Sequence, residues 1–420
     1  MMLKNMNIVL VIIDSLRKDK VGAYINTKNT LTPNIDELAK KGTILDQHFT
    51  VLNCSTPVQI SLFTGNYPAT HGVHENGYKL PKKFKTISEY LNEIEYTTCG
   101  LASSGAISSI YNFNKGFHYF YDNSKYDNLM FWARKAGTKR YNIRKFIREI
   151  IFKKFGLFDI FTKTCDKTNK TALKWLETNH KKKFFLYLHY FDIHEDTYGE
   201  RIKSKEKIKN YDKNVKIVDS AVGEIMNKLK EFNVFDDTLF IITADHGEDL
   251  NEELVKKIGR TGHGRDITEE EFCIPCIFYK NGLIPIKKVN QITRVIDILP
   301  TLLDLNEKDP PKDIDGISIK RIIFNEEELI NEVYLENYPL YGDIKGIRTK
   351  SWLYTLKDGK EERLYDITKD KTLKNDLARE NKELCIKLKF KIKNHFSIEY
   401  KPEEKDEYTK EMLKELGYVK

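Results

Sequence analysis

The chain contains no apolar stretch approaching the ~20 residues that a bilayer-spanning helix requires. Its N-terminal apolar run covers only residues 8–13 and is ended by Asp14. No small-residue cleavage site follows, so this run does not read as a signal peptide. Cysteine is scarce, with six in 420 residues, at positions 54, 99, 165, 273, 276 and 385. The C-x-x-C of Cys273 and Cys276 lies in an apolar, strand-like run and has no second pair to complete a zinc site. Buried free thiols, and with them a soluble protein of the reducing cytoplasm, are the expectation. A large charge excess is missing too: 70 Lys and Arg stand against 62 Asp and Glu, a net +8. Without zinc-finger spacing or an RNA-binding aromatic signature, that balance gives no reason to expect a nucleic-acid partner. Repeats and low-complexity tracts are absent.

What is present is a pair of apolar runs, far apart in the chain, that each end on an acid. Val9-Leu10-Val11-Ile12-Ile13 leads to Asp14, and Leu239-Phe240-Ile241-Ile242-Thr243-Ala244 leads to Asp245-His246-Gly247. Each reads as a buried strand delivering a metal-type ligand at the carboxyl edge of an open α/β sheet, where active sites form. A desolvated carboxylate there costs several kcal/mol unless something pairs with it. Two such strands therefore suggest a hard-cation site assembled from both ends of one domain. Between them, Asn53-Cys54-Ser55-Thr56-Pro57 precedes a helix-like stretch ending in Thr64-Gly65. A hydroxyl placed there suits a nucleophile at a helix N-terminus, whose free N–H groups favour an anionic oxygen.

Strand-like runs alternate with helical patterns: strand 7–13, helices 32–41, 58–64 and 86–93, strand 97–102, helix 166–178, strand 184–190, helix 211–231 and strand 238–243. The alternation predicts an α/β fold of three layers, a mainly parallel sheet with helices on both faces. Beyond residue 305 short alternating segments follow, with Asp358-Gly359 as a hairpin signal, and then a helix near 380–395. These predict a small C-terminal antiparallel sheet. Lys125 to Lys154 holds ten basic and two acidic residues interleaved with aromatics. It reads as a solvated helix with one apolar face; weak contact of 125–170 with an anionic membrane surface is the alternative.

In order along the chain, Ile12 to Asp19, Thr32 to Ala39, Ser61 to Gly65, Ala244 to Glu248, Asp297 to Leu303, Leu364 to Asp366 and Leu416 to Val419 resemble the motifs of the sulfatase family, within the alkaline-phosphatase-like group. The resemblance implies a catalytic domain over residues 1–305 and a C-terminal subdomain over 306–420. It implies Ser55 as the nucleophile, two residues before Pro57 and six before Ser61; Cys54, despite its chemistry, is out of step. It also implies one divalent metal ion held by Asp14, Asp245 and His246, with Ser55 Oγ completing the shell. The family binds Ca²⁺, whereas an imidazole donor suits Mn²⁺ or Zn²⁺ better. His194 and His263 are implied as catalytic groups at the leaving oxygen, and Arg17, His71, His194 and His263 as substrate contacts.

Several positions depart from the family pattern. Ser15 stands where many members carry a second acid, and His246 where many carry Asn. Gln59 replaces the Arg that accompanies oxidation of the nucleophile to formylglycine. The family implies formylglycine at residue 55; Gln59 argues for an unmodified serine and for phosphorus over sulfur. The expected function is a metal-dependent hydrolase cleaving sulfate or phosphate esters through a covalent intermediate on Ser55. The competing readings are a phospho-alcohol transferase acting on a glycan or lipid acceptor, and an inactive binding scaffold.

Overall fold

The computed structural model describes residues 6–27, 29–122, 164–194, 204–250 (204–207 as backbone only), 262–325, 329–338, 342–397 and 405. The basic, aromatic segment at 125–154 lies outside the described residues.

Nine strands build the main sheet: β1 (Asn7–Ile13), β2 (Thr43–Phe49), β3 (Thr97–Ala102), β4 (Tyr119–Tyr121), β5 (Phe184–Tyr190), β6 (Thr238–Ala244), β7 (Cys273–Ile274), β8 (Cys276–Tyr279) and β9 (Lys287–Arg294). Their order is β4-β3-β5-β1-β6-β8-β2-β7, with β9 also paired to β2. The five strands from β4 to β6 are all parallel, while β8 runs antiparallel to both β6 and β2. The sheet is mixed and mostly parallel. Because successive side chains alternate faces, β1 splits between two cores. Ile8, Leu10 and Ile12 pack into one and Val9, Val11 and Ile13 into the other.

Helices cover both faces. On the side of Ile12 lie α2 (Ser55–Thr64), α3 (Ile87–Asn92) and α6 (Ile298–Leu305); on the side of Ile13 lie α1 (Pro33–Lys40), α4 (Cys165–Asn179) and α5 (Ser204–Glu231). All ten residues of α2 are buried, which explains why its sequence shows no amphipathic stripe.

The four-stranded second sheet is an antiparallel meander of β10 (Glu332–Glu336), β11 (Ile344–Thr349), β12 (Trp352–Lys357) and β13 (Glu361–Asp366), followed by α7 (Lys382–His395). Asp358 and Gly359 both take positive φ, 49° and 68°, as the predicted hairpin turn demands. The sheet is no detached unit. Val333, Leu335, Ile344 and Leu353 join the large core on the α2 side, while Ile347, Tyr354 and Leu364 pack on α7. All six cysteines are free and buried, as expected for thiols used as small apolar side chains. Among the described residues no helix is long and apolar enough to cross a membrane.

His48 on β2 is fully buried, with Nδ1 2.9 Å from Thr293 Oγ1, and burial lowers its pKa to about 3. In the unfolded chain the ring regains a value near 6.5, so below that pH the unfolded state binds the extra proton. This contribution to stability is therefore complete above pH 6.5 and falls as pH drops toward 3, by about 1.4 kcal/mol per pH unit. Urea titrations of the His48→Gln variant between pH 6.5 and 4.5 should show a pH slope shallower by that amount.

Candidate active site

β1 and β6 run in parallel register with Ile13 beside Ala244. The next residue of each, Asp14 and Asp245, therefore leaves the sheet at the same edge, side by side. Strand parity sends both toward the face on which α2 packs, since Ile12 and Ile241 belong to that core. The two ends of the chain's catalytic region meet here through one register.

Between the two acids sits Ser15, whose φ of 61° lies in the left-handed region that non-glycine residues seldom enter. Such a conformation costs on the order of 1 kcal/mol or more. Two hydrogen bonds offset it: Ser15 N–H donates to Asp245 Oδ1 (3.1 Å) and its hydroxyl to Asp14 Oδ1 (3.0 Å). Asp245 Oδ1 also accepts from His246 N–H (2.8 Å), and buried Oδ2 has no hydrogen-bond partner among the described residues. His246 Nδ1 lies 2.8 Å from the Gly247 carbonyl. A carbonyl only accepts, so Nδ1 carries a proton, and in the neutral ring Nε2 presents a lone pair. Gly247 is needed for this turn, because a Cβ there would sit 1.9 Å from the Glu270 carbonyl oxygen.

Ser55 begins α2, and its Oγ lies 3.1 Å from Asp14 Oδ2 and 3.4 Å from His246 Nε2. Cys54, one residue earlier, is buried among apolar side chains, and burial pushes its thiol well above the usual range. The helix start is tied down from outside: Asn76 Oδ1 accepts from Thr56 N–H at 2.9 Å. Asn53 Nδ2 donates to Glu271 Oε2 (2.6 Å), and the same carboxylate oxygen accepts from Gly264 N–H (2.9 Å). The small sheet closes the bracket, with Tyr338 N–H donating to Asn53 Oδ1 at 2.8 Å.

Asp14, Asp245 and His246 each offer a ligand atom within 4.8 Å of the others, all fully buried. Burial by itself raises both carboxyls. At Asp14 the imidazoles of His189, His194 and His246 outweigh it and hold the carboxyl well below the usual range. Asp245 is raised by burial and by the neighbouring Asp14 carboxylate. For His246 burial works against protonation, but the two carboxylates prevail and raise its pKa. Two desolvated acids, one carboxylate oxygen without a partner and an imidazole lone pair facing them form a donor set that fits a divalent cation.

The Sulfatase family profile matches residues 6–307. The chain belongs to the sulfatase family. An ulvan-active sulfatase from Formosa agariphila is 22% identical over 454 residues, spanning 94% of this chain and 84% of that one. Human arylsulfatase D is 24% identical over 423 residues, spanning 79% and 70%. Among solved structures, Ps i-CgsB in complex with k-i-k-neocarrahexaose superposes with a TM-score of 0.76 at 22% identity, covering 98% of each chain. A 2-O GAG sulfatase gives 0.72 at 18%, covering 94% and 92%. The protein is thus a sulfuric ester hydrolase of a metal-dependent family.

In this sulfatase the remaining expected residues divide. His263 and His194 join the site: the ring of His263 lies 4.1 Å from that of His246 and 5.2 Å from that of His194. His263 Nδ1 is 3.2 Å from Glu248 Oε2. His194 stacks on Phe191 at 4.5 Å, and burial lowers its pKa to about 4. Arg17 has structural partners instead. Its guanidinium clasps Asp19 (2.9 and 2.8 Å) and donates to the Glu248 carbonyl (3.0 Å), bracing that segment. His71 is held inside the core. It is fully buried, its Nδ1 accepts from Val73 N–H (3.1 Å) and its Nε2 is bonded to Ser61 Oγ (2.9 Å). Both ring nitrogens are thus used inside the core.

Sequence reading passed over three polar residues of this neighbourhood. Glu248 lies within the Ala244 to Glu248 motif, and its contact with His263 needed the fold to appear. Asn76 carried no local signal. His189 did, as the one imidazole inside the run Phe184-Phe185-Leu186-Tyr187-Leu188-His189-Tyr190.

Because burial and Asp14 both disfavour a charged Asp245, Asp245→Asn should stabilise the cation-free protein. A gain of ~1 kcal/mol corresponds to a melting temperature higher by ~1 °C in a chain of this size. Differential scanning fluorimetry in chelator measures it, and an unchanged or lower melting temperature would count against charge crowding.

Proposed function

We propose that this sulfatase hydrolyses the sulfate ester of a sulfated glycan, with the side chain at position 55 receiving the sulfuryl group. The observation that carries the reading is the position of Ser55 Oγ, at a buried helix N-terminus and within 3.4 Å of both Asp14 and His246. A glycan is favoured by the relatives, one described as an ulvan-active sulfatase and one solved with k-i-k-neocarrahexaose. Asp14, Asp245 and His246 are the residues that would hold a divalent cation, with Ser55 Oγ beside them. A cation bound there supplies a lowered hydroxyl pKa and neutralises charge on the transferring group. The imidazole donor favours Mn²⁺ or Zn²⁺ over Ca²⁺. Six free thiols support placement in a reducing compartment.

The chain's own residues divide the remaining work. The N-terminus of α2 directs its dipole at the anionic group. His263, with Glu248 at its Nδ1 to orient the ring, is assigned as the acid that protonates the departing alcohol. His194, kept neutral by burial, is assigned to orient the transferring group by hydrogen bonding. The inactive-scaffold alternative fits poorly with the retention of all these groups around one point.

Release of the sulfuryl group depends on the state of residue 55. A formylglycine hydrate supplies an exit by collapse to the aldehyde, whereas an unmodified serine sulfate has none. Gln59 is fully buried and its Oε1 accepts from the Tyr187 hydroxyl at 2.8 Å. Its presence where the maturation motif has Arg favours a second reading for unmodified protein: phosphoryl transfer from a phosphate ester to water or an acceptor alcohol. The family relationships favour sulfate.

Multiple turnover of nitrophenyl sulfate should therefore scale with the fraction of aldehyde at residue 55, measured by mass spectrometry of the peptide carrying it. Sustained sulfate turnover by protein whose residue 55 is entirely serine would refute this dependence. Replacing His263 with Ala should slow esters of weakly acidic alcohols by ~10²-fold while sparing nitrophenyl esters, which need no proton on departure. His194→Ala should slow both by similar factors. Equal losses for both ester types in His263→Ala would remove its role as an acid.

A further inference from the structure

β5 carries two polar side chains on the face that packs against α2, and the mechanism above uses neither. Tyr187 and His189 are two residues apart, so they point to the same side of the sheet, both fully buried. Tyr187 braces the nucleophile helix through Gln59, one turn after Ser55. His189 is paired in register with Ile12 of β1. That places it one pleat below Asp14, on the face toward which Asp14 points. Its Nε2 lies 3.5 Å from Asp14 Oδ2, the oxygen that also approaches Ser55 Oγ. Neither ring nitrogen has a hydrogen-bond partner among the described residues. The backbone there is held firmly, since Ser103 donates to the His189 carbonyl from both its N–H (3.1 Å) and its hydroxyl (2.6 Å).

A buried imidazole without partners is costly to keep, and Asp14 Oδ2, 3.5 Å from its Nε2, is an acceptor in reach. The other Asp14 oxygen is already fixed by the Ser15 hydroxyl. We propose that His189 is a positioning residue of the active site: its Nε2–H donates to Asp14 Oδ2 and fixes the plane of that carboxylate, so that Asp14 meets the cation and Ser55 in one orientation. This inference rests on the cation site proposed above. It assigns no bond between His189 and the cation and no direct part in the chemistry. Groups that orient a ligand from behind in this way typically change metal affinity roughly 10- to 100-fold when removed.

The test compares His189→Leu, which removes the donor at similar bulk, with His189→Gln, whose amide nitrogen reaches the position of Nε2. Calorimetric titration of the chelator-treated proteins with Mn²⁺ measures affinity, and the melting temperature in chelator measures stability separately. The expected result is at least 10-fold weaker binding in His189→Leu and binding within about 3-fold of the parent in His189→Gln. Unchanged affinity in His189→Leu overturns the proposal. So does an equal loss in both variants, which would mean that the ring only fills space. No Mn²⁺ binding by the parent protein would overturn the cation site itself, and the positioning role with it. Should His189→Leu fail to fold, ¹⁵N chemical shifts of labelled histidine in the parent decide. A His189 ring protonated at Nε2 supports the proposal, and protonation at Nδ1 alone overturns it.

Discussion

Two carboxylates buried next to each other dominate this molecule. Asp14 and Asp245 are fully inaccessible, and the Asp14 carboxylate disfavours ionisation of Asp245. A protein tolerates that arrangement only where charge or hydrogen bonds compensate it. Here compensation comes from every direction: the Ser15 turn, the His246 amide, a ring of imidazoles and a donor geometry suited to a cation. The neighbouring structure follows from this requirement. The left-handed Ser15 and the glycine at 247 are both local consequences of bringing two strand ends close enough to share one charge.

The second dependence is between the acids and the serine. α2 is apolar and entirely buried, so its N-terminus is set by packing and by side chains from elsewhere rather than by a cap of its own. Asn76 binds the helix start, Asn53 ties the preceding loop to Glu271, and Glu271 ties that loop to Gly264 beside His263. The Tyr338 amide adds the small sheet to the same bracket. The small sheet therefore helps hold the loop before Ser55 as well as contributing to the core. Its apolar residues Val333, Leu335 and Ile344 lie in the same cluster as Val58 and Ile60 of α2.

The histidines illustrate how one side chain serves different ends. His71 and His48 are core residues whose rings are driven neutral by burial. His246 sits among carboxylates and is raised despite burial. His263 faces a glutamate, and His194 stacks on an aromatic ring. Residue type alone does not separate these roles; the partner of each ring nitrogen does.

Much of this was legible in the chain. Apolar runs of strand length ending on Asp14 and Asp245 announced the sheet edge and the buried acids that leave it there. The family resemblance pointed to Ser55 rather than Cys54, and alternation with an Asp-Gly turn announced the small sheet. What tertiary structure decided was pairing. The register that sets Ile13 beside Ala244 joins residues 231 positions apart, and local sequence carries no record of register between distant strands. The same holds for His71, whose loop motif looked functional until Ser61 and the Val73 amide occupied both nitrogens, and for Arg17, turned to Asp19 and Glu248. It holds for His189 as well. The sequence marked it as a polar residue in an apolar strand, but only the pairing of β5 with β1 places it beneath Asp14. Sequence determined which groups leave the sheet at its carboxyl edge; packing determined which of them meet, since hydrogen-bond partners and shared burial exist only once the strands are side by side.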